Sequence, residues 1–143
     1  MRISAKAEYA CIAVLDLARK KEQADPVRLH EIAEPNGIPE RFLVQILLQL
    51  KGAGYTQSLR GAGGGYRLAI DPQNISVWDI VNTIDGPAAA GHSQDVAHHS
   101  MSWQVVGELW QSVNQREEEL LRQTTFGDLV ESLKQQSSNM YYI

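Results

Sequence analysis

Leu59-Arg60-Gly61-Ala62-Gly63-Gly64-Gly65-Tyr66-Arg67-Leu68 is the stretch on which the reading of this chain turns. Four glycines within five residues separate a short apolar lead-in from an aromatic–basic–apolar run. Two strands joined by a glycine tip make a β-hairpin. Glycine supplies positive φ and lets the backbone approach another surface closely. Arg60 and Arg67 stand on either side of the tip, and a guanidinium suits phosphate oxygens or a narrow minor groove. A phosphate cradle of the nucleotide hydrolases would end in Gly-Lys-Ser/Thr, which is missing here. A dinucleotide fingerprint would open a helix, whereas Tyr66-Arg67-Leu68-Ala69-Ile70 reads as strand and Pro72 follows. Taken alone, the hairpin is as well explained as plain surface; what precedes it separates the two readings.

Val27-Arg28-Leu29-His30-Glu31-Ile32-Ala33 reads as a short helix and Glu34-Pro35-Asn36-Gly37 as the turn that ends it. Pro39 suits the first position of the next helix. From there to Ala53, Phe42, Leu43, Ile46, Leu47 and Leu50 recur at helical spacing, and Gly52 and Gly54 close the element. Short helix, glycine turn and longer helix is the helix-turn-helix layout, whose second helix lies in the major groove. A hairpin directly behind it is placed as a wing. On the second helix Arg41 and Gln45 are four residues apart and share a face. Arginine pairs with guanine edges and glutamine with adenine edges, although a single polar helix residue is more often merely solvated.

The flanks fit this centre. Residues 4–21 read as an amphipathic helix with Ala10, Ala13, Val14, Leu17 and Ala18 inward and Arg19-Lys20-Lys21 at its end. Cys11 beside that stripe reads as a small buried hydrophobe. Ser76-Val77-Trp78-Asp79 resembles a capping box that opens a helix through Ile84, stopped at Asp85-Gly86-Pro87. Residues 87–100 read as a loop carrying His92, His98 and His99. A long helix over about 101–122 carries Val105, Leu109, Val113 and Leu120 on one stripe, with Trp110 and Leu121 beside it. Its two-sided apolar character predicts a dimer seam rather than a helix folded onto a small domain. Thr125-Phe126-Gly127-Asp128 starts a last helix, and residues 135–143 read as a poorly ordered tail.

At 143 residues the chain accommodates one domain, or a small domain with an appendage. A net charge of −4 argues against a nucleic-acid binder until it is divided. Residues 1–70 hold ten Lys/Arg against seven Asp/Glu, and residues 71–143 hold three against ten. A basic front and an acidic back fit a nucleic-acid face carried on a separate body. The longest apolar run, Phe42–Leu50, is interrupted by Gln45 and Gln49 and is too short to span a bilayer. The first residues pass straight into an amphipathic helix, and one cysteine cannot form an internal disulfide. A cytoplasmic protein with no membrane partner is the expectation.

The chain resembles the Rrf2 family of bacterial winged-helix transcription regulators, to which IscR-like and NsrR-like proteins belong. The residues that carry the resemblance are Met1-Arg2-Ile3-Ser4 with Lys6 and Tyr9-Ala10, then Glu31-Ile32-Ala33, Gly37-Ile38, Phe42-Leu43-Val44-Gln45-Ile46-Leu47, Leu50-Lys51-Gly52-Ala53-Gly54 and Ser58 to Tyr66, with Ile75 to Pro87 behind them. The resemblance is strong over residues 1–87 and weak beyond. It implies a recognition helix in the major groove of a two-fold operator, Gln45 near the bases, and Arg60 in the minor groove. Val44 stands where many members carry a glutamate tied to site choice. Pro39 and Arg41 stand where some carry serines, so the operator of better-known members does not transfer. Iron–sulfur members place three cysteines after the Gly-Pro stop. Here Gly86-Pro87-Ala88-Ala89-Ala90-Gly91-His92 has none, which resembles the cysteine-free members that sense through a bound partner protein.

The expected fold is therefore mainly α with a small β-hairpin wing (α+β), in four segments: a winged helix-turn-helix over 1–86, a loop over 87–100, a dimerisation helix and a terminal helix over 101–134, and a tail over 135–143. The expected function is a dimeric, sequence-specific repressor of transcription acting on a near-palindromic double-stranded DNA operator, without cofactor. Its expected DNA-binding residues are Ser4, Lys6, Arg28, Pro39, Arg41, Phe42, Gln45, Lys51, Arg60, Gly61, Gly63 and Gly64. Val105, Leu109, Val113 and Leu120 are its expected dimer contacts. A regulatory protein or small ligand would bind the back half. Two rivals stand beside it. One is a protein-interaction module on a winged-helix scaffold, told apart by whether Lys6, Arg28, Arg41, Lys51 and Arg60 share a face. The other is a metal-responsive regulator using His92, His98 and His99, or Cys11, as ligands. No catalytic nucleophile–base–orienter set stands out, so an enzyme is not expected.

Overall fold

The computed structural model describes residues 2–86 and 100–140. Six α-helices and one hairpin follow in chain order: α1 (Ala5–Arg19), α2 (Leu29–Asn36), α3 (Glu40–Gly52), β1 (Thr56–Leu59), β2 (Gly65–Leu68), α4 (Val77–Asp85), α5 (Met101–Gln123) and α6 (Phe126–Met140). A 3₁₀ turn at Pro72–Asn74 links β2 to α4. This is the mainly helical α+β architecture expected, with β1 and β2 paired antiparallel from Thr56 opposite Leu68 to Leu59 opposite Gly65.

Helix α1 is the centre of the packing. Small residues on it let other helices come close: Ala10, Val14 and Ala18 meet Ile46, Leu50, Ile75, Ile80 and Phe126, while Ala13 and Leu17 meet Val27, Ile32, Ile38, Leu43 and Leu47. Each fully buried Leu or Ile contributes about 1.5–3 kcal/mol relative to its exposed state. Cys11 is half-buried at the edge of the first cluster rather than fully inside it.

Several boundaries differ from the sequence expectation, each for a local reason. Helix α1 stops at Arg19, because Lys20 leaves helical geometry and its ammonium lies 3.9 Å from Glu31. Val27 is not helical. Its backbone exchanges hydrogen bonds of 2.8 and 2.7 Å with Tyr66, adding one residue of strand to the wing, and α2 begins only at Leu29. Helix α2 then runs through Pro35 to Asn36. In the last turn a proline removes a single hydrogen bond, and Gly37 at φ +64° closes the helix in the left-handed conformation. Pro39 is the residue that flanks α3, not its first helical residue; its carbonyl accepts from Phe42 and Leu43 at 3.0 and 3.1 Å.

The capping box at Ser76 and Asp79 is present in both directions, at 2.9 and 3.1 Å. Thr125 and Asp128 repeat it at the start of α6, at 3.0 and 3.1 Å. The segment between α5 and α6 is sewn to the front half: Val77 donates to Thr124 and Phe126 donates to Ile75, both at 2.9 Å. Phe126 is thereby driven into the core, where it is fully buried. Arg122 stacks over the Trp78 ring at 4.8 Å and fixes the end of α5 against α4. Anchored at Phe126, Leu129 and Val130, α6 continues as helix through Met140, so Gln135–Met140 is not the irregular tail that the sequence suggested. Residues 141–143 lie outside the described residues, as do residues 87–99 of the expected loop.

Candidate nucleic-acid interface

Helix α3 buries Leu43, Ile46, Leu47 and Leu50 and leaves Arg41, Val44, Gln45 and Leu48 exposed on the opposite side. Residues advance by about 100° each, so these four lie within roughly a third of the helix circumference. Arg41 stacks over the Phe42 ring at 5.0 Å, and Phe42 itself is partly exposed beside it. No other side chain claims Gln45 among the described residues. The outward face thus offers one fork of donors, one amide and two apolar side chains.

The wing is built around its glycines in different ways. Gly61 has φ +99°, a conformation that other residues rarely adopt. A side chain on Gly64 would strike the Leu59 carbonyl, and one on Gly65 would lie 2.6 Å from the Val27 carbonyl oxygen. Gly63 has neither constraint, so its expected role as a turn-maker is carried by its neighbours. Arg28 donates to the carbonyl of Ala62 at the tip, and Arg67 donates to the carbonyl of Ala24 at 3.0 Å. Lys51 reaches from the end of α3 to the Ser58 hydroxyl at 2.8 Å. Arg60 stays exposed with no side-chain bond among the described residues.

The fold therefore gathers Arg28, Lys51 and Arg60 at the wing, with Arg41 and Gln45 on α3 ahead of it. Arg28 and Arg67 hold the hairpin, a structural role that sequence reading did not assign them. Lys6 is half-buried in the first turn of α1. Ser4 is engaged on every side. Its oxygen accepts from the Ala7 backbone at 3.0 Å, and its N–H and hydroxyl both donate to the Asp85 carboxylate, tying the start of α1 to the end of α4. Sequence reading gave no sign of that link, since Asp85 lies 81 residues away.

A helix-turn-helix followed by a buttressed two-stranded wing defines the class of winged-helix, DNA-binding transcription regulators. The Rrf2 profile, described as "Iron-dependent Transcriptional regulator", matches residues 3–132. The chain belongs to the Rrf2 family. It is similar to the HTH-type transcriptional regulator CymR of Bacillus subtilis, at 32% identity over the full length of both chains. Against the regulator IscR of Vibrio cholerae it is 33% identical, over 91% of this chain and 75% of that one. The solved structure of CymR, described as the global cysteine regulator of B. subtilis, superposes with a TM-score of 0.81 at 31% identity, covering 92% of this chain and 98% of that one.

The family description names iron, and the donors among the described residues do not make an iron or iron–sulfur site. Among the described residues no three His, Cys, Asp or Glu side chains come together as a ligand set. The single thiol, Cys11, is pushed up to about 11, first by burial and then by the carboxylates of Asp85 and Glu8, which disfavours the thiolate that a metal needs. His92, His98 and His99 lie outside the described residues. No described helix is long and apolar enough to cross a membrane.

Proposed function

We propose that this regulator is a dimeric repressor that inserts one α3 per protomer into successive major grooves of a near-palindromic operator, with Arg60 of each wing entering the flanking minor groove. The observation that supports the reading best is the outward face of α3. Arg41 and Gln45 are exposed side by side, ahead of a wing whose buttressing by Arg28 and Arg67 leaves Arg60 free to reach out. Guanidinium and amide groups at that spacing match the acceptor and donor pattern of guanine and adenine in the major groove.

The dimer is inferred from α5. Gly107, Asn114, Glu117, Glu118 and Leu121 are half-buried on the side facing the protomer's own body. Val105, Leu109, Val113 and Leu120 lie on another side and are exposed, Val105 by 64%. A contiguous exposed apolar face of this kind marks an interaction surface. Self-association there would carry the two α3 helices as a two-fold pair.

The regulator works without an iron–sulfur cluster, because one protonated thiol per chain cannot supply the usual thiolate set. Its signal is a partner protein or small ligand that acts on the acidic back half, and the setting is the cytoplasm. The reading is tested by selecting binding sites from random duplex DNA with the parent protein and with Gln45→Ala. The parent should return a near-palindrome. The variant should lose preference at one position per half-site, by about 1–3 kcal/mol. Selection that returns no sequence would contradict DNA reading and favour the protein-interaction alternative.

A further inference from the structure

Two of the four side chains on the outward face of α3 are aliphatic. Leu48 is 67% exposed and Val44 46% exposed, on a helix whose other face buries Leu43, Ile46, Leu47 and Leu50 completely or nearly so. Exposure of a leucine to this extent has no packing role within the chain. Val44 and Leu48 are one helical turn apart, so they line up along the axis. Arg41 lies one turn before Val44 and Gln45 is its neighbour. At about 100° per residue the Val44–Leu48 row is offset by about 60° from the Arg41–Gln45 row, so the apolar strip runs alongside the polar groups expected to meet base edges.

In the major groove one base feature is apolar, the C5-methyl group of thymine. Cytosine presents an amino donor at the neighbouring position, and an aliphatic side chain pressed over it would strip that donor of water and return no acceptor. We infer that Val44 and Leu48 form a thymine-reading strip, which selects for A·T pairs with the methyl turned toward α3 beside the bases met by Arg41 and Gln45. The inference deepens the DNA-binding reading and rests on it. It adds which bases the helix chooses and by what contact.

The test uses the operator that the parent protein itself selects. Each thymine is replaced in turn by deoxyuridine, which removes the methyl and leaves every hydrogen-bonding group in place. One or two positions per half-site should weaken binding about threefold to tenfold, the effect of losing one buried methyl contact. Val44→Ser and Leu48→Ser should each abolish the uracil effect at one of those positions while circular dichroism stays that of the parent, since neither side chain packs in the core. A selected operator that binds equally well with uracil at every thymine overturns the strip and leaves DNA reading intact. Uracil sensitivity that persists unchanged in both serine variants overturns it as well. Failure to select any operator would instead remove the DNA-binding reading on which it stands.

Discussion

The guanidinium of Arg28, at the entrance to α2, donates to the carbonyl of Ala62 at the tip of the wing, 34 residues along the chain. With the Val27–Tyr66 backbone pair beside it, this bond fixes the hairpin to the helix-turn-helix. Arg28 and Arg60 are thereby given different tasks. Arg60→Ala should weaken operator binding and lower the slope of log affinity against log salt by about 1, as the loss of one phosphate or groove contact does. Arg28→Ala should weaken binding through a less ordered wing and leave most of that slope in place. Titration of both variants at several salt concentrations separates the two roles; equal loss of slope would make Arg28 a direct DNA contact.

Phe126 is the fully buried side chain among those through which the C-terminal elements hold to the front half. Phe126→Ala should cost about 3–5 kcal/mol of unfolding free energy, measured by urea denaturation, because it empties a fully buried site shared by Ala10, Val14, Ile46, Leu50 and Ile80. A loss under about 1 kcal/mol would mean that α6 is not a working part of the core.

Leu109 and Val113 sit on the exposed apolar side of α5. Replacing both by Asp should leave a folded monomer by light scattering, because an unpaired carboxylate at a dry seam is costly. A mass unchanged from the parent dimer would place the seam elsewhere.

Cys11 provides a pH test. Its thiol lies near 11 in the folded chain against an ordinary 9.0. Alkylation by iodoacetamide at pH 8 should therefore run about a hundredfold slower than in the urea-unfolded chain, since the thiolate is the reactive form. Because the folded value is the higher one, the thiol contributes stability that is present below pH 9.0 and lost as pH rises toward 11. Cys11→Ala should flatten the stability profile across that window. Rapid alkylation of the folded protein would show that the thiol is accessible and ionised, and would reopen a ligand role.

Much of this fold was legible where the determinants are local. Gly61 to Gly65 announced the wing, Ser76 with Asp79 and Thr125 with Asp128 announced their helices, and the spacing of Leu43, Ile46, Leu47 and Leu50 gave α3 its inner face. What escaped was set by distant partners. Val27 reads as helix from its neighbours but is captured by Tyr66 across the wing. Pro35 reads as a stop, yet in a last turn it removes little. Phe126 has no local signature as a core residue; its burial follows from backbone pairing of Thr124–Phe126 with Ile75–Val77. Gln45, read as sharing an outward face with Arg41, is exposed and does nothing for the fold. Arg28 and Ser4, expected from sequence to contact DNA, hold structural bonds that only the folded chain displays.

The central claim is that two copies of α3, one per protomer, occupy successive major grooves of one operator. A hydroxyl-radical footprint of the full chain on its selected site tests it most directly. The account predicts two protected patches related by a two-fold axis, with centres about one helical turn, roughly 34 Å, apart or a multiple of it, and separate minor-groove protection outside them that disappears in Arg60→Ala. A single patch without two-fold symmetry, or uniform protection along the duplex that salt removes, would contradict it.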